Sequence, residues 1–362
     1  MAAGSLTRFI DEGGTRALRL PSVPRDAGPA LTRRISLETI RDATTTVYRA
    51  AIRTPLVRLT LPGASASGPE IFLKLETLQP VGSFKIRGAQ NAIAHLSREQ
   101  LAGGVWTVSA GNAAQGVALA ARLAGAQCSV MVMDTAPATK LRAIEQLGAT
   151  IVQATYDECW RTVEDHHSER MRGRFVHPFD DDDFISGNGT IGLEIIDDLP
   201  DVDAVVAPLG GGGLLAGIAA VVKAVRPRAH VYAAEPATAS PLFVSLRAGA
   251  ASRFAGWQPS FVDGAGGQSV LPTMWPLLRA GVDDSLVVTL EDAARAMRLV
   301  AERVHVIAEG AAACAVAAAL SDTVAGRGFK KVVAVVSGGN IDLARFAALT
   351  RREETEDTED AE

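Results

Sequence analysis

The chain has 362 residues, 36 Lys and Arg against 41 Asp and Glu, a formal net charge of −5 and 48% hydrophobic content. That is enough apolar material for two lobes with large cores, and the lack of any Lys/Arg block argues against a nucleic-acid partner. No uninterrupted apolar run reaches membrane-spanning length, and the N-terminus lacks the order of a signal peptide.

Cys128, Cys159 and Cys314 are odd in number, widely spaced and without zinc spacing. A reduced cytoplasmic protein with structural thiols is expected. Residues 1–34 mix Gly, Pro and Arg without a steady period and read as a loosely held extension. Ser36, followed by Thr39, forms an imperfect capping box and predicts a helix start. Short β-rich runs then alternate with Ala/Leu-rich ones. Strands are expected at 71–73, 105–108, 129–133, 151–152, 204–207, 231–234 and 332–336. Helices are expected at 115–124, 139–147, 214–225 and 293–304. Continuous apolar strands between helices indicate parallel sheets covered on both faces, an α/β doubly wound class. Residues 349–362 are mostly acidic and read as a solvated tail, with no regulatory domain after the last strand.

Four turns carry the candidate chemistry. In the first, a Pro/Gly turn places Lys85 at a helix start within SFKIRGA. Desolvation and a positive helix end lower the pKa of such an amine and favour the neutral form that condenses with an aldehyde. Taken alone, Lys85 also reads as an ordinary lysine at a strand–helix junction. In the second, Ser109-Ala110-Gly111-Asn112 follows the run VWTV. Its N–H groups and the Asn112 amide suit an anion or a phenolate oxygen, or form a plain loop. In the third, Gly210 to Gly213 precede Leu214 and a helix, a backbone that can wrap a phosphate or serve as a linker. Neither GxGxxG nor the Walker pattern is present, which disfavours a nucleoside triphosphate. In the fourth, Ser337 opens SGGN and offers a neutral hydroxyl to a ring nitrogen, or lies in a simple turn. All four sit at one end of the expected strands, where α/β sheets bind ligands.

With these motifs in this order, residues 36–348 strongly resemble the fold-type II pyridoxal 5'-phosphate (PLP) family, which includes tryptophan synthase β, cysteine synthase and the threonine/serine dehydratases. SFKIRGA is similar to the dehydratase and serine racemase branch. The resemblance implies two doubly wound sheet domains, a smaller one (104–182) inserted in a larger PLP-binding one (35–103 and 183–348) and closing on substrate. It implies that Lys85 is the Schiff-base lysine, that Phe84 packs on the ring and that Asn112 binds the ring hydroxyl. Gly210, Gly211, Gly212, Gly213 and Leu214 would hold the phosphate, Ser337 the pyridine nitrogen, and Ser109, Ala110 and Gly111 the substrate carboxylate.

Departures from the family pattern bear on activity. Ala110 stands where racemases carry a second acid/base serine, Ala113 replaces a usual histidine and Asn188 a usual glutamine. Of the family's divalent-metal positions, Glu235 and Ala239 match, but Pro241 replaces the third ligand, so no metal is expected. The implied activity is β-elimination from a 3-hydroxy amino acid, L-threonine or L-serine, to a 2-oxo acid and ammonia, by a homodimer or homotetramer. A 3-hydroxyaspartate or phenylserine dehydratase, a serine racemase-like enzyme and a non-catalytic PLP- or metabolite-binding module remain as alternatives.

Overall fold

A computed structural model describes residues 33–61 and 68–351. Most of the N-terminal extension and of the acidic tail lies outside the described residues. Arg33, at the edge of the supposed loose extension, is held by Asp180 and by Asp182 at 2.7 Å, because a charged side chain there meets two carboxylates. Ser36 does open a helix: its Oγ accepts from Thr39 N (3.0 Å), and α1 spans Leu37–Val47.

Strand β1 (Leu56–Arg58) pairs antiparallel with β2 (Glu70–Leu75). A turn with Gly82 at φ 68° leads into α2 (Lys85–Ala94), and α3 (Arg98–Ala102) follows behind a Ser97/Gln100 capping box. Next come β3 (Val105–Val108), α4 (Asn112–Leu123), β4 (Cys128–Met133), α5 (Ala138–Gln146), β5 (Thr150–Ala154), α6 (Tyr156–Asp165) and β6 (Arg174–Phe175). The chain continues through α7 (Asp182–Asp198), β7 (Ala204–Pro208), α8 (Gly213–Val225), β8 (His230–Pro236), α9 (Pro241–Ala248) and α10 (Trp275–Gly281). It ends with β9 (Asp284–Val288), α11 (Leu290–Val304), α12 (Gly310–Ala319), α13 (Asp322–Ala325), β10 (Lys331–Val336) and α14 (Leu343–Thr350). The last helix therefore enters the stretch read as a tail.

Two sheets result. The larger has the order β1-β2-β10-β7-β8-β9, parallel except for β1, and the smaller has the order β5-β4-β3-β6, parallel throughout. Strands β7 and β10 are fully buried runs of Val and Ala apart from one edge residue, as expected for strands covered on both faces. The small residues of α12 let that helix lie close against β7, β8 and β10, and all its residues but Ala317 are buried.

Strand order positions the site. The segment bearing Lys85 follows β2, the four-glycine turn follows β7, and the Ser337 turn follows β10, which lies between them. Three of the four candidate turns thus leave adjacent strands at one sheet end. The fourth follows β3 of the smaller sheet and reaches them because α4 packs directly on α2. Gly116 makes that approach possible: a Cβ there would lie 2.9 Å from the Lys85 carbonyl carbon. Among the described residues, no helix is long and apolar enough to cross a membrane.

Candidate active site

The four turns surround a cavity of about 590 Å³. Phe84, Lys85, Ser109, Ala110, Gly111, Asn112, Gly210 to Gly213, Leu214 and Ser337 all line it. Glu235 and Ala239 do not.

Lys85 is the first residue of α2 and is half-buried. Its Nζ donates to the Pro178 carbonyl (2.7 Å) and lies 5.1 Å and 5.5 Å from the ring centres of Phe84 and Phe184. Desolvation lowers its pKa to about 8, against the opposing charge of Glu309. The turn before it is joined to the β10 turn, since Phe84 N donates to the Ser337 carbonyl (3.0 Å) and Gly339 N to the Gly82 carbonyl (2.9 Å). Ser337 is consequently buried beside the lysine segment.

The glycine turn is stripped of side chains for a steric reason. A Cβ at Gly211 would stand 2.1 Å from the Phe179 ring, and Gly212 has φ 96°. What faces the cavity is therefore backbone at the N-terminus of α8, with no carboxylate on the turn itself. This is the arrangement that receives a phosphate. An aldehyde-reactive amine and a bare helix N-terminus on one cavity fit PLP.

Asn112 begins α4, and its amide is fully oriented by protein partners. Its Oδ1 accepts from Asn340 Nδ2 (2.8 Å), which also donates to the Val81 carbonyl (2.7 Å). Its Nδ2 donates to Glu309 Oε1 (2.7 Å). Glu309, only 6% exposed, lines the same cavity and is absent from the residues expected at the site. The available signal was a lone carboxylate directly before an uncharged Gly/Ala helix.

The two metal-like groups are committed elsewhere. Glu235 accepts from Leu242 N (2.9 Å), Phe243 N (2.8 Å) and Ser285 Oγ, so its oxygens cap α9, whose first residue is Pro241. Its burial raises the pKa to about 7. Saturating Mg²⁺ or Mn²⁺ should leave the melting temperature unchanged, whereas a cation held here at 100 times its Kd would add about 2.7 kcal/mol. The cluster of His166, His177 and Asp180 is equally occupied. His177 Nε2 faces the Val163 carbonyl (3.1 Å), its Nδ1 accepts from Asp180 N (2.7 Å), and Asp180 binds Arg33 and Thr273. That cluster fixes the segment that carries Pro178 and Phe179 under Lys85 and the glycine turn.

The fold and cavity define a site for a phosphorylated aldehyde cofactor at the carboxyl ends of parallel strands. The chain belongs to the pyridoxal-phosphate dependent enzyme family, whose model matches residues 47–338. It is 41% identical over 312 residues to the L-threonine ammonia-lyase of Thermotoga maritima, spanning 85% of this chain and 76% of that one. Among solved structures it resembles serine racemase from Dictyostelium discoideum, with TM-score 0.76, 33% identity and coverage of 85% and 99%. It also resembles threonine deaminase isoform 2 from Solanum lycopersicum, with TM-score 0.77, 30% identity and coverage of 91% and 98%.

Proposed function

We propose that the chain is a PLP-dependent ammonia-lyase that converts L-threonine or L-serine to a 2-oxo acid and ammonia. The observation that carries this reading is that, of the two lysines on the cavity, only Lys85 lacks an ion-pair partner among the described residues, while the same cavity has Ala110 where a second proton-transferring hydroxyl would be needed. The likeness to the Thermotoga L-threonine ammonia-lyase supports the same chemistry.

When bound, PLP supplies an electron sink that acidifies the Cα–H of the amino acid attached to it. The residues divide the remaining work. Backbone N–H groups of Gly210 to Gly213 and Leu214 would anchor the phosphate, and Asn112 would offer an N–H to the ring oxygen. Ser337 would offer a neutral hydroxyl to the ring nitrogen, which would restrain the sink and suit elimination better than transamination. The Ser109–Gly111 turn, with Gly111 N donating to Ser109 Oγ (3.1 Å) and open space beside Gly111, suits the substrate carboxylate. Phe84 and Phe179 give the cavity apolar walls. Lys85 Nζ, displaced from the Pro178 carbonyl, takes the Cα proton as general base, and its lowered pKa keeps the neutral form accessible.

Residues 104–182 act as the unit that closes on substrate. The support is that Lys140 on α5 reaches Asp263, and Gln268 donates to the Tyr156 hydroxyl (2.7 Å), across the cavity. The chain works in the cytoplasm as a homodimer or homotetramer, a reading supported by the family resemblance and by three buried free cysteines.

A panel of L-serine, L-threonine, 3-hydroxyaspartate and phenylserine tests the substrate assignment. Fastest 2-oxo acid release should come from L-threonine or L-serine. D-serine appearing as fast as pyruvate would replace the reading with a racemase. Fastest turnover of 3-hydroxyaspartate or phenylserine would move the substrate class, and no release from any of them would favour a binding module.

A further inference from the structure

Glu309 has no part in the chemistry above, yet its placement is specific. It is the N-cap residue of α12, but its side chain makes no capping bond to that helix. Its backbone N donates to the Gly338 carbonyl (3.0 Å), which leaves the carboxyl to face the cavity. Gly338 makes room for it, because a Cβ there would stand 2.7 Å from Glu309 Oε1.

The carboxyl has one side-chain donor, Asn112 Nδ2. Since Asn340 already occupies Asn112 Oδ1, the amide cannot flip without losing both bonds. An amide nitrogen carries two N–H bonds, and Glu309 engages one. The other is left for the cavity. Without that acceptor, the bond from Asn340 alone would resist rotation of the amide, and an amide turned with its oxygen toward a bound ring oxygen would repel it. Burial disfavours the ionised carboxyl most and Asp263 adds to that, while the Asn112 bond and then Lys140 favour it; Lys85 on α2 feels its charge in turn.

We propose that Glu309 is a positioning residue for the cofactor: by accepting from Asn112, it holds that amide with its second N–H directed at the ring oxygen. The inference rests on the cofactor reading given above. It predicts a coupling between two residues rather than a general loss of stability.

The test is a double-mutant cycle on PLP affinity, read by cofactor absorbance in the full chain, with apoprotein melting measured in parallel. E309L should weaken PLP binding roughly tenfold, the effect of one well-placed hydrogen bond. E309Q, which keeps an acceptor oxygen, should restore affinity to near wild type. In the N112A background, E309L should weaken binding no further, because the residue it positions is gone. Wild-type affinity in E309L, or an undiminished tenfold loss in N112A/E309L, would overturn the proposal. Failure of the wild-type chain to take up PLP would instead remove the cofactor reading, and this inference with it.

Discussion

Lys85→Ala should lower 2-oxo acid release by roughly 10³-fold or more, the scale of losing a positioned general base. Among the described residues no other amine on the cavity is ready to substitute. Lys140, the other lysine on the cavity, is paired with Asp263. The loss should not come from unfolding, and the sign follows from the pKa. Burial depresses the Lys85 pKa from 10.5 to about 8, so between these values the unfolded chain binds more protons than the folded one. Wild-type apoprotein therefore gains stability as pH rises through that window, and below it the buried charge is a cost. At pH 7 the Lys85→Ala apoprotein should melt no lower than wild type. Matched melting curves with abolished turnover separate a chemical role from a structural one.

Arg87→Leu should produce the largest loss of stability. Arg87, fully buried two residues after Lys85, bonds Glu76 through Nε and Nη2 (both 2.8 Å) and Glu194 through Nη1 (2.6 Å) and Nη2 (3.0 Å). Lys74 adds a second cation on Glu194 at 2.6 Å, and Tyr48 donates to the same carboxylate (2.6 Å). Removing the guanidinium leaves two buried carboxylates facing one ammonium. Breaking such a network from one side costs about 3–5 kcal/mol. In melting temperature that is on the order of 10 °C for a chain of this size. The pH dependence follows. Burial acts to raise the Glu194 pKa, but Arg87 and then Lys74 outweigh it and hold the carboxyl below its usual 4.5. Wild type thus has this contribution above about pH 4.5 and loses it as pH falls further. In the variant Glu194 loses the larger of the two cations that favour its anion, so the gap between the two melting curves should narrow in acid. A constant gap from pH 7 to pH 3 would contradict this account of the network.

The parts of the site that were legible in the sequence are those whose chemistry is local. Lys85 at a helix start, four consecutive glycines before a helix and SGGN after an apolar run each announce themselves within ten residues. Their convergence was legible only as a pattern of turns following strands. The physical cause is the position of β10 between β2 and β7, and strand order is a long-range property. Strands β1, β6 and β9 were not anticipated: two are very short, and β9 begins on Asp284, so none shows an apolar run of useful length. Helix α4 starts at Asn112 rather than at residue 115, because the turn and the first helical residues share small side chains that carry no period.

Glu309 was missed for a different reason. Its partner Asn112 lies 197 positions away in sequence, and a glutamate before an alanine-rich helix reads as an ordinary anion at the positive helix end. Pro178 and Phe179, which meet Lys85 Nζ and Gly211, belong to a connection between β6 and α7 with no motif of its own. Glu235 was a ligand candidate only through the family resemblance. Only the structure reveals that its oxygens are committed to the first turn of α9 and to Ser285.

The central claim is that Lys85, among all lysines of the chain, is the one to which the cofactor attaches. Borohydride reduction of the PLP-loaded protein, followed by proteolysis and peptide mass spectrometry, tests it directly. A phosphopyridoxyl group on the peptide containing SFKIRGA, at Lys85, is the predicted result. The group on Lys140 or any other lysine, or an unmodified chain after loading and reduction, would contradict it.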